Sequence, residues 1–186
     1  MQHPMVSTLS IAKLNRMPKD DFIAAIAPVF EELDDPWIAE RAWAAAPFRD
    51  IESLHRAMIA VIDRACKQDQ LELLARQPDL EHRKGGLYFR RFSPEQQEAA
   101  RSVNEGYKDK FGYPFLCFCK TSSATETLAS MNRRLDNPSQ LERITALAEL
   151  SKITRERLDC LIEDQMPVVA NAPAAVIQQQ SIAAGR

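Results

Sequence analysis

Glycine is scarce in this chain, with five residues in 186. Architectures built from strands and tight turns need glycine where the backbone takes a positive φ, so the scarcity argues against an all-β fold. No apolar run approaches the ~20 residues of a membrane-spanning helix. Residues 1–16 also lack the basic start and apolar run of a signal peptide. The sequence therefore predicts a cytoplasmic enzyme or binding protein without a membrane partner.

An excess of charge of either sign is also absent. The net charge is -2 and the isoelectric point is near 6.0, which gives no reason to expect nucleic acid or an anionic membrane as a partner. Hydrophobic residues make up 45% and charged residues 27%, as in ordinary globular proteins. We expect a single domain over 1–165 and a flexible tail over 166–186, which is rich in Ala, Gln and Pro.

Cysteine is sparse and shows no CxxC pair: the four residues are Cys66, Cys117, Cys119 and Cys160. In an extended segment, Cys117 and Cys119 would lie on one side of the backbone. No His or Cys cluster nearby completes a metal site, so none is predicted. Buried reduced thiols are the main expectation, and a structural or redox cysteine site is the alternative.

Helix signals are abundant. Asp50 precedes an apolar pattern of helical spacing, and Ser93-Pro94-Glu95-Gln96 is a capping box with proline at the first helical position. Helices are predicted over about 18–33, 36–46, 51–65, 68–76, 94–111, 123–135 and 137–164. Residues 115–120 are predicted to form an extended linker. The fold class is therefore all-α, a compact orthogonal bundle of about seven to nine helices.

Several short phrases occur in order along the chain: 14–17 (Leu-Asn-Arg-Met), 29–31 (Val-Phe-Glu), 36–43 (Pro-Trp-Ile-Ala-Glu-Arg-Ala-Trp), 47–48 (Pro-Phe) and 110–115 (Lys-Phe-Gly-Tyr-Pro-Phe). Their ordered combination resembles the 2-oxo-4-hydroxy-4-carboxy-5-ureidoimidazoline (OHCU) decarboxylases. The resemblance spans roughly 10–163. It implies a lyase of urate breakdown that converts OHCU to S-allantoin, or one that acts on a closely related ureido or hydantoin-like heterocycle.

The implied reaction needs no cofactor. Loss of CO2 leaves an electron pair on a ring carbon, and the unsaturation of the heterocycle itself can accept that pair. The protein must hold the ring, orient the anionic substrate and supply a proton to one face of the carbon. The resemblance also implies a homodimer.

The phrase Gln-Pro-Asp-Leu at 77–80 departs from the resemblance. Family members begin it with the histidine taken as the general acid, whereas the carboxamide of Gln77 exchanges no proton near neutral pH. The family also places a longer segment before its catalytic glutamate, whereas Glu81 follows here at once. The resemblance implies that Pro78 contacts substrate and that Gln77 occupies the catalytic position in a diverged member.

Residues 81–87 (Glu-His-Arg-Lys-Gly-Gly-Leu) resemble the family phrase Glu-Gln-x-Gly-Ala-Gly-Leu. On that match Glu81 is the catalytic glutamate, and His82 replaces a substrate-contacting glutamine. His82 is also a candidate replacement for the missing proton donor. The alternative interpretation is a solvated, charged loop.

Arg157 matches the last-helix arginine of the family, and it shares a helical stripe with Ile153 and Leu161. A guanidinium on an inward stripe needs an anionic partner or a route to water. We expect Arg157 to face the substrate. The alternatives are a side chain that reaches solvent and a structural ion pair with a buried acid such as Glu40.

The stretch after the Phe-Gly-Tyr-Pro turn matches the ring-binding segment of the family, in which main-chain amides contact the heterocycle. An irregular segment between helices has unpaired backbone donors, which suits that role. Packing of aromatic side chains in the core is compatible with it. The residues concerned are Phe115, Leu116, Cys117, Phe118 and Cys119.

Other polar and aromatic residues have simpler interpretations. Trp37 and Trp43 share a helix face and are expected to anchor the core. Arg134 lies near a helix end, where a structural cap is expected. His55 borders an apolar stripe and is expected to be hydrogen-bonded at the core boundary.

Two further functions remain open. Gln77 and the shortened segment favour a non-catalytic relative that keeps the scaffold, or a different cofactor-free lyase or isomerase on the same bundle. The turn at 111–115, Glu81 and Arg157 favour the decarboxylase.

Overall fold

The computed structural model describes residues 9–30, 36–119 and 122–163, apart from the side chain of Lys84 and the exposure of Gly85. The helices of this part are α1 Ile11–Leu14, α2 Lys19–Ile26, α3 Trp37–Ala42, α4 Ile51–Arg64, α5 Lys67–Ala75, α6 Pro94–Phe111, α7 Ala124–Leu135 and α8 Ser139–Leu161. Short 3-10 turns cover Ala27–Phe30, Trp43–Ala45, Arg83–Gly86 and Phe89–Arg91. Within these ranges the only β pairing is an isolated bridge between Leu9 and Ile162. The predicted all-α class is confirmed.

Reciprocal capping boxes begin three helices. The first pairs Asp50 with Ser53, and the others begin α6 and α7 from Ser93 and Ser123. Each box satisfies backbone N–H groups that the first helical turn leaves without partners. The predicted starts of these helices are therefore confirmed.

Differences from the predicted elements have local causes. The α2 helix gives way to a 3-10 turn that contains Pro28, which has no N–H for a helical hydrogen bond. The α3 helix also tightens into a 3-10 turn, and Ala46 is extended (ψ 150°) before Pro47. The short α1 helix was not predicted. Asp35, the end of the 18–33 helix and the tail after residue 163 lie outside the described residues.

The long helix α8 positions the rest of the bundle, because it packs against α4, α5, α6 and the turn Ala27–Phe30. An aromatic cluster fills the space beside it. The ring of Tyr107 lies 4.6 Å from that of Phe111 and 5.5 Å from that of Phe115. Burial raises the pKa of Tyr113, the neighbouring turn residue, to about 12, so its hydroxyl stays neutral.

A buried ion pair joins α7 to α8. Arg134 Nε lies 2.9 Å from Glu142 Oε1, and the Glu142 side chain is 0% exposed. The hydroxyl of Tyr107 and the amide of Asn137 donate to the same carboxylate. Arg134 therefore has a structural role, as expected: it lies in the last turn of α7 and pairs with Glu142 in the first turn of α8, and both residues are buried.

The remaining expectations about packing are also resolved. Trp43 packs against the ring of Phe22 at 5.1 Å, and Trp37 packs against the core. His55 Nε2 contacts the carbonyl of Ser151 at 2.9 Å, and burial lowers the pKa of this histidine.

Across the described ranges, no helix combines the length and apolarity needed to cross a bilayer.

Candidate active site

A cavity of about 200 Å³ lies between the last helix, the segment after the aromatic turn and the loop after α5. We call it the arginine cavity, because Arg83, Arg91 and Arg157 lie in its walls. The remaining described lining residues are Leu80, Leu87, Tyr88, Cys117, Phe118, Cys119, Ile153 and Glu156. The walls thus combine apolar surface with a cluster of guanidinium groups, an arrangement suited to a flat, anionic ligand.

Arg157 enters the cavity from α8. Its side chain is on the same stripe as Ile153, and the residue is only 8% exposed. One nitrogen, Nη1, donates to the carbonyl of Val29 at 2.8 Å. This contact fixes the direction of the guanidinium, and the fork of N–H groups matches the geometry of a carboxylate. Glu40, considered above as a buried partner, is exposed and instead pairs with Lys19 at 2.7 Å.

The segment after the turn forms a second wall. Helix α6 ends at Phe111, the next residue Gly112 has a left-handed φ of 81°, and 115–119 then runs without regular secondary structure. The predicted linker is therefore confirmed through Cys119, while Lys120 lies outside the described residues.

Arginines hold three consecutive carbonyls of this segment. Arg83 donates to Phe115 O at 3.3 Å and to Cys117 O at 2.9 Å. Arg134 donates to Leu116 O at 2.7 Å. These contacts fix the backbone that the resemblance assigns to ring binding.

Two amides of the segment are not the unpaired donors that were expected. The N–H of Phe115 donates to Asn104 Oδ1 at 2.9 Å, and that of Phe118 donates to Glu149 Oε2 at 2.6 Å. Burial by itself would raise the pKa of Glu149, but hydrogen bonds from Lys152 and Phe118 lower it overall. The expectation failed here because side chains of α6 and α8 reach the linker.

The expectation of buried reduced thiols is also wrong. Cys117 and Cys119 form a disulfide in the cavity wall, with Cα atoms 5.6 Å apart. The extended backbone explains the pairing, because residues two apart point to the same side. Cys66 and Cys160 are free and exposed. The described residues contain no group of three or more side chains that could hold a metal ion.

Gln77 lies in the core, away from the arginine cavity. It is 4% exposed, and its amide nitrogen lies 3.4 Å from Phe30 O and 3.3 Å from Leu73 O. The next residue, Pro78, contributes a carbonyl that accepts from Arg83 at 3.4 Å. The side chain at the expected catalytic position is therefore part of the packing below the site.

Glu81 and His82 do not line the arginine cavity either. Glu81 makes a two-pronged pair with Arg101, at 2.8 and 3.0 Å, in a second cavity of about 120 Å³. Hydrogen bonding from Arg101 lowers the pKa of Glu81. Leu80 lines both cavities, whereas Arg157 lines the arginine cavity without Glu81, and Glu81 lines the second cavity without Arg157. His82 is exposed.

A sequence model of the family described as OHCU decarboxylase matches residues 15–159. The chain belongs to this family. It is 34% identical over 164 residues to the 2-oxo-4-hydroxy-4-carboxy-5-ureidoimidazoline decarboxylase of Halalkalicoccus jeotgali, covering 83% of this chain and 92% of that one. The decarboxylase of the same name from Haloferax volcanii is 32% identical over 160 residues, covering 81% and 94%.

Solved structures of related proteins share the bundle. An (S)-allantoin synthase superposes with a TM-score of 0.70 at 25% identity, and the alignment covers 83% of this chain but 54% of that protein. An OHCU decarboxylase crystallised in the presence of (S)-allantoin gives a TM-score of 0.61 at 21% identity, covering 69% and 92%. The second comparison supports the fold alone.

In this member of the OHCU decarboxylase family, sequence reasoning missed four polar residues of the cavity, namely Arg83, Tyr88, Arg91 and Glu156. Arg83 was assigned to a charged loop with no separate role, and Glu156 was given none. Composition offered no signal for Arg83, since the neighbouring residues 81–84 are also polar. Its position depends on the 3-10 turn Arg83–Gly86, which brings the loop against the post-turn segment.

Gly86 closes that turn. Its φ is 74°, and an added Cβ would lie 2.7 Å from the carbonyl oxygen of Glu81. Any residue with a side chain would force the backbone at position 86 away from the backbone of Glu81. The short loop therefore holds Arg83 at the cavity and Glu81 at Arg101.

Proposed function

We propose that this chain is a cofactor-independent decarboxylase of the OHCU decarboxylase type, which acts on OHCU in urate breakdown or on a closely related ureido heterocycle. The observation that carries the proposal is the meeting of Arg157 with the post-turn segment 117–119 in one partly apolar cavity. These are the two elements that the family resemblance assigns to substrate binding, and the fold brings them together from distant parts of the sequence.

Arg157 orients the substrate in this proposal. Its guanidinium pairs with the substrate carboxylate, while the main chain of 117–119 lies along the heterocycle. Leu80, Phe118 and Ile153 give the cavity apolar surface. Such surface disfavours a charged carboxylate relative to neutral CO2. The bond between the carboxylate carbon and the ring carbon then breaks, and the electron pair moves into the unsaturated ring.

The ring carbon must finally receive a proton. Family resemblance assigns this part of the reaction to Glu81 and, in this chain, to His82. Glu156 is a carboxyl group that already lies in the wall of the arginine cavity. We propose Glu156 as the acid of the cavity. Glu81→Gln, His82→Ala and Glu156→Gln compare the three directly, because the true donor is the one whose loss abolishes turnover in a folded protein.

Turnover is measured with OHCU generated from urate by urate oxidase and hydroxyisourate hydrolase, followed by circular dichroism of S-allantoin. The wild type should accelerate allantoin formation above the spontaneous rate, and Arg157→Ala should lower the rate at least ~100-fold, as expected for loss of an orienting charge. Arg56→Ala removes an exposed arginine of α4 and is the control. If allantoin forms at the spontaneous rate in the presence of the wild-type protein, activity on OHCU is contradicted.

One observation favours a second candidate, a non-catalytic relative that binds a ureido heterocycle without converting it. The residue at the catalytic histidine position is Gln77, and its side chain contacts core carbonyls. Binding of S-allantoin by wild type, without acceleration of OHCU loss, would favour this candidate.

The proposal also covers the oligomeric state of the protein and its location in the cell. We expect a homodimer in the cytoplasm, as the resemblance implies. Analytical ultracentrifugation at micromolar concentration tests the first point, and a sedimentation coefficient of the monomer would contradict it. Fractionation of cells that express the tagged chain tests the second.

A further inference from the structure

Arg83 stands out among the residues of the cavity wall, because the family phrase leaves its position open. Its guanidinium donates to Pro78 O, Phe115 O and Cys117 O, at 3.4, 3.3 and 2.9 Å. The residue is 9% exposed. The same side chain also lines the arginine cavity. It therefore reaches the place where the substrate is proposed to bind.

The carbonyl contacts orient Arg83 without removing its charge. An arginine guanidinium stays protonated in proteins, so the side chain contributes a cation to the wall. Two contacts to the post-turn segment and one to Pro78 also hold the group in place before a ligand arrives, which lowers the entropy lost on binding.

The charge of the wall favours an anion. Among the described lining residues, Arg83, Arg91 and Arg157 are cationic and Glu156 is the one acid, so positive charge is in excess whether or not Glu156 holds its proton. A single orienting arginine already suffices for a substrate with one carboxylate. The additional cations make the charge of the ligand a stronger determinant of binding in this chain.

We propose that Arg83 is a second anion-binding side chain of the arginine cavity, acting from the loop while Arg157 acts from α8. Together they select carboxylate-bearing ureido heterocycles over neutral ones. The proposal rests on the proposed function for the ligand class, but it concerns binding and does not require turnover.

Hydantoin-5-acetate and hydantoin-5-acetamide test the proposal, because they share a ureido ring and a similar size and differ in one charge. Isothermal titration calorimetry measures the dissociation constant of each probe for the wild type and the variants. Wild type should bind the acetate at least ~10-fold more tightly than the amide, a ratio that corresponds to one charge-assisted hydrogen bond.

Arg83→Gln keeps donors for the carbonyls and removes the charge. This variant should lower the preference for the acetate about tenfold, while the control Arg56→Gln leaves it unchanged. Arg83→Lys keeps the charge without the fork, so it should retain most of the preference. Circular dichroism and thermal unfolding establish that each variant is folded.

Two results would overturn the proposal. If Arg83→Gln folds and keeps the full preference for the acetate, Arg83 serves only to hold the loop in position. Wild type that binds both probes equally would exclude selection by charge. If Arg83→Gln does not fold, Arg83→Lys decides, because loss of the preference with the charge retained would contradict the proposal. Failure to turn over OHCU leaves these binding ratios measurable, so the two proposals fail separately.

Discussion

The side-chain oxygen of Asn104 accepts the backbone N–H of Phe115 at 2.9 Å. The same side chain donates to Asp79 Oδ1 at 3.1 Å, and Asp79 Oδ2 lies 3.1 Å from Lys108 Nζ. Asn104 thus connects the Pro-Asp-Leu phrase at 78–80 to the post-turn segment 115–119. The phrase therefore helps to order the backbone of that segment.

Asn104→Ala should remove this connection. It leaves the buried N–H of Phe115 without an acceptor, which costs about 1–3 kcal/mol of unfolding free energy. It should also lower kcat/KM for OHCU, because the segment lining the cavity loses its fixed position. Urea denaturation and the allantoin assay measure the two effects. Asn132→Ala, on an exposed face of α7, is the control and should change stability by less than about 0.5 kcal/mol.

Glu142→Gln should be the most destabilising of the charge-neutralising changes considered. It leaves the buried Arg134 without its carboxylate, and breaking a buried pair in this way costs about 3–5 kcal/mol. Glu40→Gln breaks the exposed pair with Lys19 and should lower the stability far less, because solvent screens that pair. Denaturation midpoints compare the two. Equal losses would show that burial of the Arg134 pair does not contribute to stability.

Gln77→His should not increase turnover. The side chain at this position lies against Phe30 and Leu73 in the core, so an imidazole there does not reach the arginine cavity. The allantoin assay compares the variant with wild type, and thermal unfolding reports any loss of stability from the altered packing. A rise in kcat of tenfold or more would mean that residue 77 reaches the substrate during turnover.

Stability should fall as the solution is acidified through the ordinary titration range of histidine. Burial lowers the pKa of His55 in the folded protein, so the unfolded chain takes up the proton first. The contribution of His55 is therefore present above the unfolded pKa of ~6.5 and is lost as pH falls.

His55→Asn isolates this contribution. Unfolding free energies measured at about pH 7.5 and about pH 5.5 bracket the ordinary pKa of ~6.5. The difference between the two values should be smaller in His55→Asn than in wild type. An identical difference in both proteins would contradict the assignment to His55.

Local rules accounted for much of the fold. The capping boxes that begin at Ser93 and Ser123 depend on residues three apart, and both were visible in the sequence. Apolar spacing gave the faces that pack in α4 and α8 in the same way. The α1 helix was missed because four residues carry too little periodicity.

In the candidate site, too, some features follow from local sequence and others do not. The sequence alone determined that Arg157 lies on an inward stripe and that 115–119 is irregular, because both follow from spacing and from the turn at Gly112. Only the tertiary structure decided which side chains meet. Gln77 turned into the core, Glu81 paired with Arg101, and Arg83 bridged to the post-turn segment. Such contacts join residues up to 47 positions apart. Their formation depends on how the helices close around the loop, and no local pattern of residues encodes that closure.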